Sequence, residues 1–410
     1  MTDSGAGVLI IGAGHAGGTA AALLRQFGYA GRITLAGEEP IAPYQRPPLS
    51  KAWLKGEADA EALELKNASF YPENGIELIL GVRATRLRRS EKTVDFDDGR
   101  TLAYETLIIA TGARPRPLDL PGADLAGVLF LRSAADAELL KAALGPGKRL
   151  VVIGGGYIGL EAAASGRALG AEVAVLEREP RILARVAGET LSSFFQAYHE
   201  THGVRFALGA SPVAFEGEAG KLTGVRLADG RVFQCDEALV GIGVIPNDEI
   251  ARDAGLECAG GVVVDTSART ADPAVFAIGD VTHRPLPLYD RMFRLESVAN
   301  ALEQAKQAAA AIVGRPEPPH EVTWNWSDQY DIKLQLAGVA FDADELLVRG
   351  DPAQAKFAVF HLKGEVVRAV EAVNAPAEFM GAKLLIASQK KIDRRKLADL
   401  AVSMKEVAAG

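Results

Sequence analysis

A short apolar run that ends at a glycine opens the pattern of hydrophobic and polar positions along the chain. Val8–Ile11 is uniformly apolar and stops at Gly12. A stretch of small residues from about Gly14 to Phe27 predicts a helix, and Arg32–Ala36 predicts a second strand. The N-terminal part of the chain is therefore expected to form a strand–turn–helix–strand unit.

The same order of elements recurs 142 residues downstream, counted from Gly12 to Gly154. Leu150–Ile153 predicts the strand, a helix is expected to run to about Leu169, and Val173–Glu177 predicts the next strand. A repeated unit of this kind predicts two similar folds within one chain.

Three further apolar runs, Thr106–Ala110, Ala238–Gly243 and Val275–Gly279, predict buried strands outside these units. Beyond Gly314, a proline-rich linker precedes strand-like runs and a helix from about Ala377, which together predict an α+β domain. At 410 residues the chain exceeds what one hydrophobic core usually fills, so two or three domains are expected.

The first glycine turn, Gly12-Ala-Gly14-His-Ala-Gly17, has the spacing G-x-G-x-x-G. Gly12 permits a tight turn, Gly14 lets the backbone approach a pyrophosphate, and Gly17 allows the helix to pack closely on the strand. Because the motif follows a strand and opens a helix, whose N-terminus favours phosphate, it predicts a dinucleotide site. Of Glu38 and Glu39, which follow the next strand, Glu38 is the preferred ribose ligand, although one of the two is expected to be a solvated loop carboxylate.

The second glycine turn, Gly154-Gly-Gly156-Tyr-Ile-Gly159, is followed by Glu177 at the end of its second strand. A carboxylate there accepts hydrogen bonds from a ribose 2′-hydroxyl and repels a 2′-phosphate, which favours NAD over NADP. Three arginines follow closely and leave that preference open: Arg178, Arg181 and Arg185. They are either solvated loop residues or a general attraction for the pyrophosphate.

Three charged residues outside the glycine turns are further candidates. Asp280 ends a strand, where a carboxylate can bind a ribityl hydroxyl of a flavin, although such a residue taken alone is more often a helix N-cap. Lys51 and Glu161 carry opposite charges and could pair beside a flavin. On the sequence alone, two unrelated surface charges are the preferred explanation.

Composition removes several classes of function. The formal net charge is -8 and the sequence pI is near 5.5, so general nucleic-acid binding is not expected. Two cysteines, Cys235 and Cys258, cannot ligate an iron–sulfur cluster, show no metal or redox spacing, and suit a reducing cytoplasm. Val8–Leu24 contains no charged residue, but glycines interrupt this stretch. The one charged side chain before it is that of Asp3, whereas a signal peptide begins with positive charge. Neither a signal peptide nor a membrane span is therefore expected.

Taken together, the motifs resemble the FAD-dependent pyridine nucleotide–disulfide oxidoreductase superfamily along nearly the whole chain. Within it they resemble ferredoxin reductases of the putidaredoxin reductase type, which serve cytochrome P450 and aromatic-ring dioxygenase systems. The segments that carry the likeness are Pro43–Lys51 (PYQRPPLSK), Ala110–Arg116 (ATGARPR), Val151–Glu161 (VVIGGGYIGLE), Phe276–Asp280 (FAIGD), Glu296–Lys306 (ESVANALEQAK) and Trp326–Asp331 (WSDQYD). The first and the last narrow the likeness to this branch.

The resemblance implies an α/β fold with two Rossmann-like, glutathione reductase-like domains and a C-terminal α+β domain. The FAD-binding domain is expected at 1–115 and 244–320, the NAD-binding domain at 116–243, and the α+β domain at 321–410. Lys51 and Glu161 are expected to form an ion pair at the flavin, and Trp326 to line its ring. The residues expected to bind the two cofactors are Gly12, Gly14, His15, Ala16, Gly17, Glu38, Glu39, Arg46, Lys51, Ala84, Ala110, Thr111, Gly112, Arg114, Gly154, Gly156, Tyr157, Ile158, Gly159, Glu177, Arg178, Arg185, Gly243, Gly279, Asp280, Glu296, Ser297, Val298 and Trp326.

The activity that the resemblance implies is NADH-dependent reduction of a [2Fe–2S] ferredoxin through FAD. A disulfide relay is not expected, because neither cysteine has a partner at the spacing of the disulfide reductases. Two other classes stay open: a rubredoxin reductase, NADH oxidase or small-molecule reductase, and a redox sensor that binds FAD and NADH but turns over slowly. Whether the chain is a monomer or a homodimer also stays open.

The C-terminal segment carries a local excess of positive charge. Residues 380–410 contain seven Lys and Arg against three Asp and Glu. An acidic ferredoxin could dock there through Lys390, Lys391, Arg394 and Arg395. A solvated, amphipathic terminal helix would explain the same charges.

Overall fold

The structure is a computed structural model that describes residues 6–409, and these fall into two compact units. The first unit contains the described part of Met1–Arg46 together with Ala60–Arg114 and Ile245–Glu321. The second contains Pro47–Asp59, Pro115–Val244 and the described part of Val322–Gly410. Two short strands, Ala113–Pro115 and Val244–Pro246, lie where the chain passes from one unit to the other.

A five-stranded parallel sheet forms the centre of the first unit. Such strands are buried on both faces, so their sequences are continuous apolar runs rather than alternating ones. In sheet order they are Val275–Ala277, Thr106–Ile109, Val8–Ile11, Ile33–Gly37 and Ile76–Leu80.

Helices cover one face of this sheet. His15–Gln26 and Val298–Ile312 pack together and bury alanines against Val8 and Ile10. The opposite face packs on the apolar side of an antiparallel sheet, Ala84–Arg88, Thr93–Phe96 and Thr101–Ala103. The remaining elements of this unit are the short helices Ala60–Leu63, Phe70–Glu73 and Glu249–Asp253, the 3-10 turns Gly279–Val281 and Pro287–Tyr289, and the strands Val262–Val263, Thr282–Leu286 and Arg291–Phe293.

The second unit repeats the parallel arrangement. Its five strands are, in sheet order, Arg205–Leu208, Glu172–Glu177, Arg149–Ile153, Glu237–Val240 and Val128–Leu129. The helices of this part are Ala134–Ala143, Tyr157–Ala168 and Glu189–Thr201, and an antiparallel sheet is formed by Pro212–Glu218, Lys221–Leu227 and Val232–Gln234. The 3-10 turn Pro47–Ser50 and the helix Ala52–Lys55 also belong to this unit.

The C-terminal part of the second unit is a five-stranded antiparallel sheet with three helices. In sheet order the strands are Trp324–Gln329, Ile332–Gly338, Val366–Val373, Lys356–Lys363 and Glu345–Asp351, and the 3-10 turn Pro352–Gln354 follows the last of these along the chain. The helices are Pro376–Ser388, Arg394–Ala398 and Met404–Ala409. The positively charged segment is therefore not one terminal helix, because Gln389 adopts a left-handed conformation that ends the first of the three.

One hydrophobic core joins the parallel and the antiparallel parts of the second unit, so the chain forms two compact units and not three. Leu160 and Phe195, from the parallel part of the second unit, share a buried cluster with Leu334 and Phe357 of the antiparallel sheet. The division into three domains at the boundaries given above stays a prediction. None of the helices in residues 6–409 combines the length and the apolar character that a membrane span requires.

Candidate dinucleotide sites

The three glycines of the first glycine turn meet three different surroundings. Gly12 has a φ of +109°, and a Cβ atom there would lie 2.2 Å from the Ala110 carbonyl oxygen. A Cβ on Gly17 would lie 2.0 Å from the Gly12 carbonyl oxygen. A Cβ on Gly14 would meet only the Arg46 guanidinium, 4.0 Å away. The outer two glycines are therefore required by the protein itself, whereas Gly14 opens onto space that a phosphate can occupy.

The N-terminus of the helix His15–Gln26 is suited to an anion. Gly14 caps it without a side-chain hydrogen bond, so the first backbone N–H groups are available. Burial lowers the pKa of His15, with smaller effects from Asp280 and Arg46, and its buried Nδ1 has no hydrogen-bond partner within residues 6–409. Gly279 approaches Ala16 so closely that a Cβ there would lie 3.0 Å from the alanine methyl group. These contacts bring Asp280 to the turn, and the residues fit a dinucleotide pyrophosphate.

The two candidate ribose carboxylates differ in what already binds them. Tyr44 donates a hydrogen bond of 2.6 Å to Glu39 Oε2, and Arg46 forms an ion pair of 2.5 Å with Glu39 Oε1. Glu38 is exposed, and its described contacts, both with Arg83, use Oε1 alone. Glu38 therefore retains an oxygen for a ribose hydroxyl. This supports the preference for Glu38, which stays a prediction.

The segment after the strand Thr106–Ile109 is held by Asn247. Asn247 donates to the carbonyl oxygen of Thr111, and the Thr111 hydroxyl donates to the Asn247 carbonyl oxygen, at 2.9 and 2.8 Å. The Arg114 guanidinium donates to Asn247 Oδ1 at 2.8 Å and forms an ion pair of 2.7 Å with Glu249. Gly112 turns the chain between them with a φ of +65°. Arg114 is thus occupied by protein groups, and its role toward FAD stays a prediction, as does that of Ala84, the first residue of its strand.

The second glycine turn reproduces the first. Gly154 has a φ of +108°, and a Cβ there would lie 2.4 Å from the Gly241 carbonyl oxygen. A Cβ on Gly159 would lie 2.4 Å from the Gly154 carbonyl oxygen, while a Cβ on Gly156 would meet no atom within 4 Å. The helix Tyr157–Ala168 also begins without a side-chain cap. The same open position and the same free N–H groups therefore occur a second time.

The Glu177 carboxylate fastens the second glycine turn. Its Oε2 accepts a hydrogen bond of 2.7 Å from the backbone N–H of Gly155, and its Oε1 accepts one of 2.9 Å from the backbone N–H of Glu179. Each carboxylate oxygen can accept more than one hydrogen bond, so a ribose hydroxyl can still be bound. Glu177 therefore lies beside the second glycine turn, where the ribose and the pyrophosphate of one dinucleotide would be close together.

Two of the three arginines near this turn are bound to other protein groups, and the third lies beside Gly243. Arg181 donates to the Ala187 carbonyl oxygen and the Ser192 hydroxyl, at 2.9 and 2.6 Å. Arg178 is exposed and paired with Glu179 at 3.1 Å. Arg185 lies beside Gly243, where a Cβ would be 3.6 Å from its guanidinium. Arg185 and Gly243, both expected at the nucleotide, are therefore neighbours.

The first two residues of the second turn's helix face different surroundings. Burial raises the pKa of the Tyr157 phenol, and its hydroxyl donates to the Val186 carbonyl oxygen at 3.4 Å. Ile158 is half exposed, at 51%. An exposed apolar side chain at a helix N-terminus is consistent with contact to a ligand, and its assignment stays a prediction.

Lys51 and Glu161 form the ion pair that the resemblance implies. Lys51 Nζ lies 2.6 Å from Glu161 Oε2, and the two side chains are 18% and 5% exposed. Ser50 also donates to Glu161 Oε2, and Ser327 donates to Glu161 Oε1, each at 2.6 Å. The alternative of two unrelated surface charges is therefore wrong. An almost fully buried carboxylate with three donors is held in one position.

The residues expected to line the flavin ring are divided between the units. Glu296 pairs with Arg294 at 2.6 Å in the first unit. Ser297 caps the helix that begins at Val298, accepting a hydrogen bond of 3.1 Å from a backbone N–H. Trp326 lies on a strand of the second unit, with its ring 5.6 Å from that of Trp324. Their roles toward the flavin stay predictions.

Part of the C-terminal positive charge is already neutralised. Arg394 pairs with Glu345 at 2.6 Å, and Lys391 pairs with Glu365 at 3.3 Å. Lys390 and Arg395 are exposed and form no ion pair within the described residues. The charge available to a partner is therefore smaller than the sequence count indicates.

Both cysteines are poor nucleophiles. Burial raises the pKa of Cys235 to about 12 and that of Cys258 to about 11, so each stays a protonated thiol. They lie in different units and form no disulfide.

Four residues of the Glu161 surroundings escaped the sequence analysis: Ser50, Ser327, Gln329 and His199. One signal was available, because Ser327 and Gln329 are two apart in a strand and therefore share a face. No local pattern linked them to Glu161 or to His199.

The similarity to known proteins extends over nearly the whole chain. The family described as Pyridine nucleotide-disulphide oxidoreductase matches residues 6–305, and the one described as Reductase C-terminal matches residues 324–408. The chain is 52% identical over 402 residues to a probable ferredoxin reductase, CtmF, from Castellaniella defragrans, and the match covers 98% of each chain.

Solved structures agree with the fold at similar coverage. The covalent putidaredoxin reductase–putidaredoxin complex matches with a TM-score of 0.96 at 40% identity, over 98% of both chains. The ferredoxin reductase for the CYP199A2 system from Rhodopseudomonas palustris matches with a TM-score of 0.95 at 40% identity, over 98% of this chain and 100% of that one. The α/β fold with a C-terminal domain is thereby confirmed.

Proposed function

The chain belongs to the pyridine nucleotide-disulphide oxidoreductase family, and from this premise we propose that it is an NADH-dependent ferredoxin reductase. Proteins of this family bind FAD and a pyridine nucleotide, so this chain is a flavin-dependent oxidoreductase. The observation that carries the proposal is the pair of equivalent glycine turns in a chain that is similar over its full length to ferredoxin reductases.

We assign FAD to the first glycine turn and NADH to the second. Gly14 and the free N–H groups behind it receive the FAD pyrophosphate, Glu38 binds the ribose, and Asp280 binds the ribityl chain. The orphaned nitrogen of His15 supports a bound group there. In the second turn, Gly156 receives the NADH pyrophosphate in the same way.

The preference for NADH over NADPH rests on Glu177. Its carboxylate is fixed by two backbone N–H groups, so it cannot easily turn away from a 2′-phosphate. A fixed negative charge repels that phosphate and accepts hydrogen bonds from a free hydroxyl. Arg178, a positive charge that could otherwise attract a 2′-phosphate, is paired with Glu179.

FAD, when bound, accepts two electrons at once from NADH and releases them singly to an iron–sulfur acceptor. The chain's own residues bind and orient the two cofactors. The resemblance assigns Lys51 to the flavin ring, where its charge would stabilise negative charge on the reduced ring, and Trp326 to the lining of that ring. Glu161, with three donors on its carboxylate, holds the Lys51 ammonium group in place.

The electron acceptor is proposed to be an acidic [2Fe–2S] ferredoxin of a cytochrome P450 or dioxygenase system. Similar reductases include one in a covalent complex with putidaredoxin, one for the CYP199A2 system and one of a benzene 1,2-dioxygenase system, which supports the assignment. Lys390 and Arg395 are the better docking candidates of the four C-terminal cations, because no described acidic group neutralises them. A cytoplasmic location is part of the proposal, since both thiols are unpaired.

A comparison of acceptors tests the proposed function. The purified flavoprotein would be supplied with NADH and, in parallel, with a [2Fe–2S] ferredoxin, rubredoxin, a quinone or oxygen, and NADH oxidation would be followed. The proposal expects the ferredoxin to give the largest kcat/KM. Faster turnover with rubredoxin, with a quinone or with oxygen would instead favour the other reductases, and slow turnover with every acceptor would favour a redox sensor.

A further inference from the structure

A row of buried polar side chains leads away from the Glu161 carboxylate within the second unit. Ser327 Oγ lies 2.6 Å from Glu161 Oε1, and Gln329 Nε2 lies 3.0 Å from Ser327 Oγ. Beyond them, His199 Nε2 lies 2.7 Å from Gln329 Oε1, and the Tyr330 hydroxyl lies 3.2 Å from His199 Nδ1. We call this row the donor chain: Ser327, Gln329, His199 and Tyr330.

The donor chain joins two distant parts of the sequence. Ser327 and Gln329 project from one face of the strand Trp324–Gln329, and His199 comes from the helix Glu189–Thr201. Ser327 and His199 are 0% exposed and Gln329 is 1% exposed. Polar groups buried this deeply depend on one another for their hydrogen bonds. Tyr330 is only partly buried, so the row runs from near the surface to Glu161.

The proton positions in the donor chain follow from the carboxylate. An ionised Glu161, paired with Lys51, only accepts hydrogen bonds, so the Ser327 hydroxyl must donate to it. The Ser327 oxygen then accepts from the Gln329 amide N–H, which turns the Gln329 carbonyl toward His199. His199 must therefore carry its proton on Nε2 and accept from Tyr330 at Nδ1.

The state of His199 agrees with this direction. Burial lowers the pKa of His199 to about 4, so the ring is neutral and carries one proton at neutral pH. A neutral imidazole can donate from one nitrogen and accept at the other, as the donor chain requires. Consecutive hydrogen bonds that point the same way strengthen one another.

We propose that the donor chain is a one-way relay of hydrogen bonds that fixes the Glu161 carboxylate and thereby positions Lys51 for flavin reduction. Its members are positioning residues, because none of them contacts Lys51 directly. The inference rests on the proposed function for the role of Lys51, while the direction of the donor chain can be tested by a measurement that does not depend on turnover.

Nitrogen-15 NMR of the histidine rings tests the direction in the intact flavoprotein. The chain has six histidines, and a His199→Gln variant identifies the His199 signals. The proposal expects a neutral ring with its proton on Nε2 at neutral pH. A proton on Nδ1 alone would reverse every bond up to Ser327 and remove the Ser327 hydrogen from Glu161. A doubly protonated ring would reverse the bond with Tyr330, so that the donor chain would no longer point one way. Either result overturns the proposal.

A Ser327→Ala variant tests the consequence for Lys51. The variant loses one charge-assisted hydrogen bond to Glu161, so the rate constant of flavin reduction at saturating NADH should fall roughly tenfold while the Kd for NADH is unchanged. The midpoint potential of the bound FAD should also become more negative. Thr270→Val is the matched control, because the Thr270 hydroxyl is buried and its partners are all backbone groups: the carbonyl oxygens of Val275 and Asp272 and the N–H of Asp272.

A double variant separates a positioning effect from loss of structure. In a Lys51→Ala background, removal of the Ser327 hydroxyl should change neither the reduction rate nor the potential, since Lys51 is the group through which it acts. A further loss of equal size in that background would overturn the proposal, as would a Ser327→Ala variant that matches Thr270→Val. If the wild-type flavin is not reduced by NADH at all, the proposed function fails, whatever the NMR result.

Discussion

Gly156→Ala distinguishes a glycine that the ligand requires from a glycine that the fold requires. A Cβ at this position meets no protein atom within 4 Å, and its φ of -84° is accessible to alanine. The fold should therefore tolerate the change, and the thermal midpoint should stay the same or rise slightly, because alanine restricts the unfolded chain.

The Gly156→Ala substitution should instead weaken the binding of NADH. The added methyl group occupies the space assigned to the pyrophosphate and separates it from the N–H groups of the helix Tyr157–Ala168. Loss of one hydrogen bond to a charged group costs about 1.5–3 kcal/mol, which corresponds to roughly a tenfold to hundredfold weaker affinity. The FAD content should be unchanged, since FAD is assigned to the first glycine turn.

Titration of the FAD-loaded protein with NAD⁺, followed by the flavin spectrum, gives the Kd. Gly145→Ala is the matched control, because a Cβ there also meets nothing within 4 Å but lies away from the turn. Gly159→Ala is the contrasting variant, because its Cβ would lie 2.4 Å from a carbonyl oxygen and should destabilise the fold. An unchanged Kd in Gly156→Ala, or a loss of FAD in the same variant, would refute the assignment of the second glycine turn.

Three further predictions use other parts of the chain. Glu177→Gln should reduce the ratio of kcat/KM for NADH over NADPH roughly tenfold, because the repelling charge is lost, and an unchanged ratio would remove Glu177 from nucleotide selection. Arg395→Glu should raise the KM for an acidic ferredoxin and leave ferricyanide reduction unaltered, whereas equal loss with both acceptors would exclude docking there. The pKa of His199 is lowered from 6.5 to about 4, so its contribution to stability is complete above pH 6.5 and falls by up to about 3 kcal/mol as the pH drops to 4. The difference in thermal midpoint between wild type and His199→Gln should shrink over that range, and a constant difference would contradict a buried neutral ring.

Local patterns were sufficient to predict the parallel sheets and the glycine turns. The strand Val8–Ile11 matches its predicted bounds, the first predicted helix differs from the observed one by one residue at each end, and the second ends one residue before its predicted end. Both turns could be predicted because the required backbone shape allows only glycine at Gly12 and Gly154, and that requirement is visible in the sequence.

Contacts between distant residues could not be predicted in the same way. His199 and Gln329 are 130 residues apart, and only the packing of a helix against the C-terminal sheet brings them together. The sequence has no glycine or proline at Gln389 to indicate that the C-terminal helical region is interrupted there. Lys391 and Arg394 form ion pairs with glutamates outside the C-terminal segment. A count of charges along the segment therefore overstated its positive excess.

Anaerobic addition of NADH to the purified yellow protein tests the central claim most directly, that one glycine turn binds FAD and the other binds the nucleotide that reduces it. The account predicts that the flavin absorbance is bleached by NADH, more slowly or at higher concentration by NADPH, and restored by an oxidised [2Fe–2S] ferredoxin. A protein that takes up no FAD, or a flavin that neither nucleotide reduces, would contradict it.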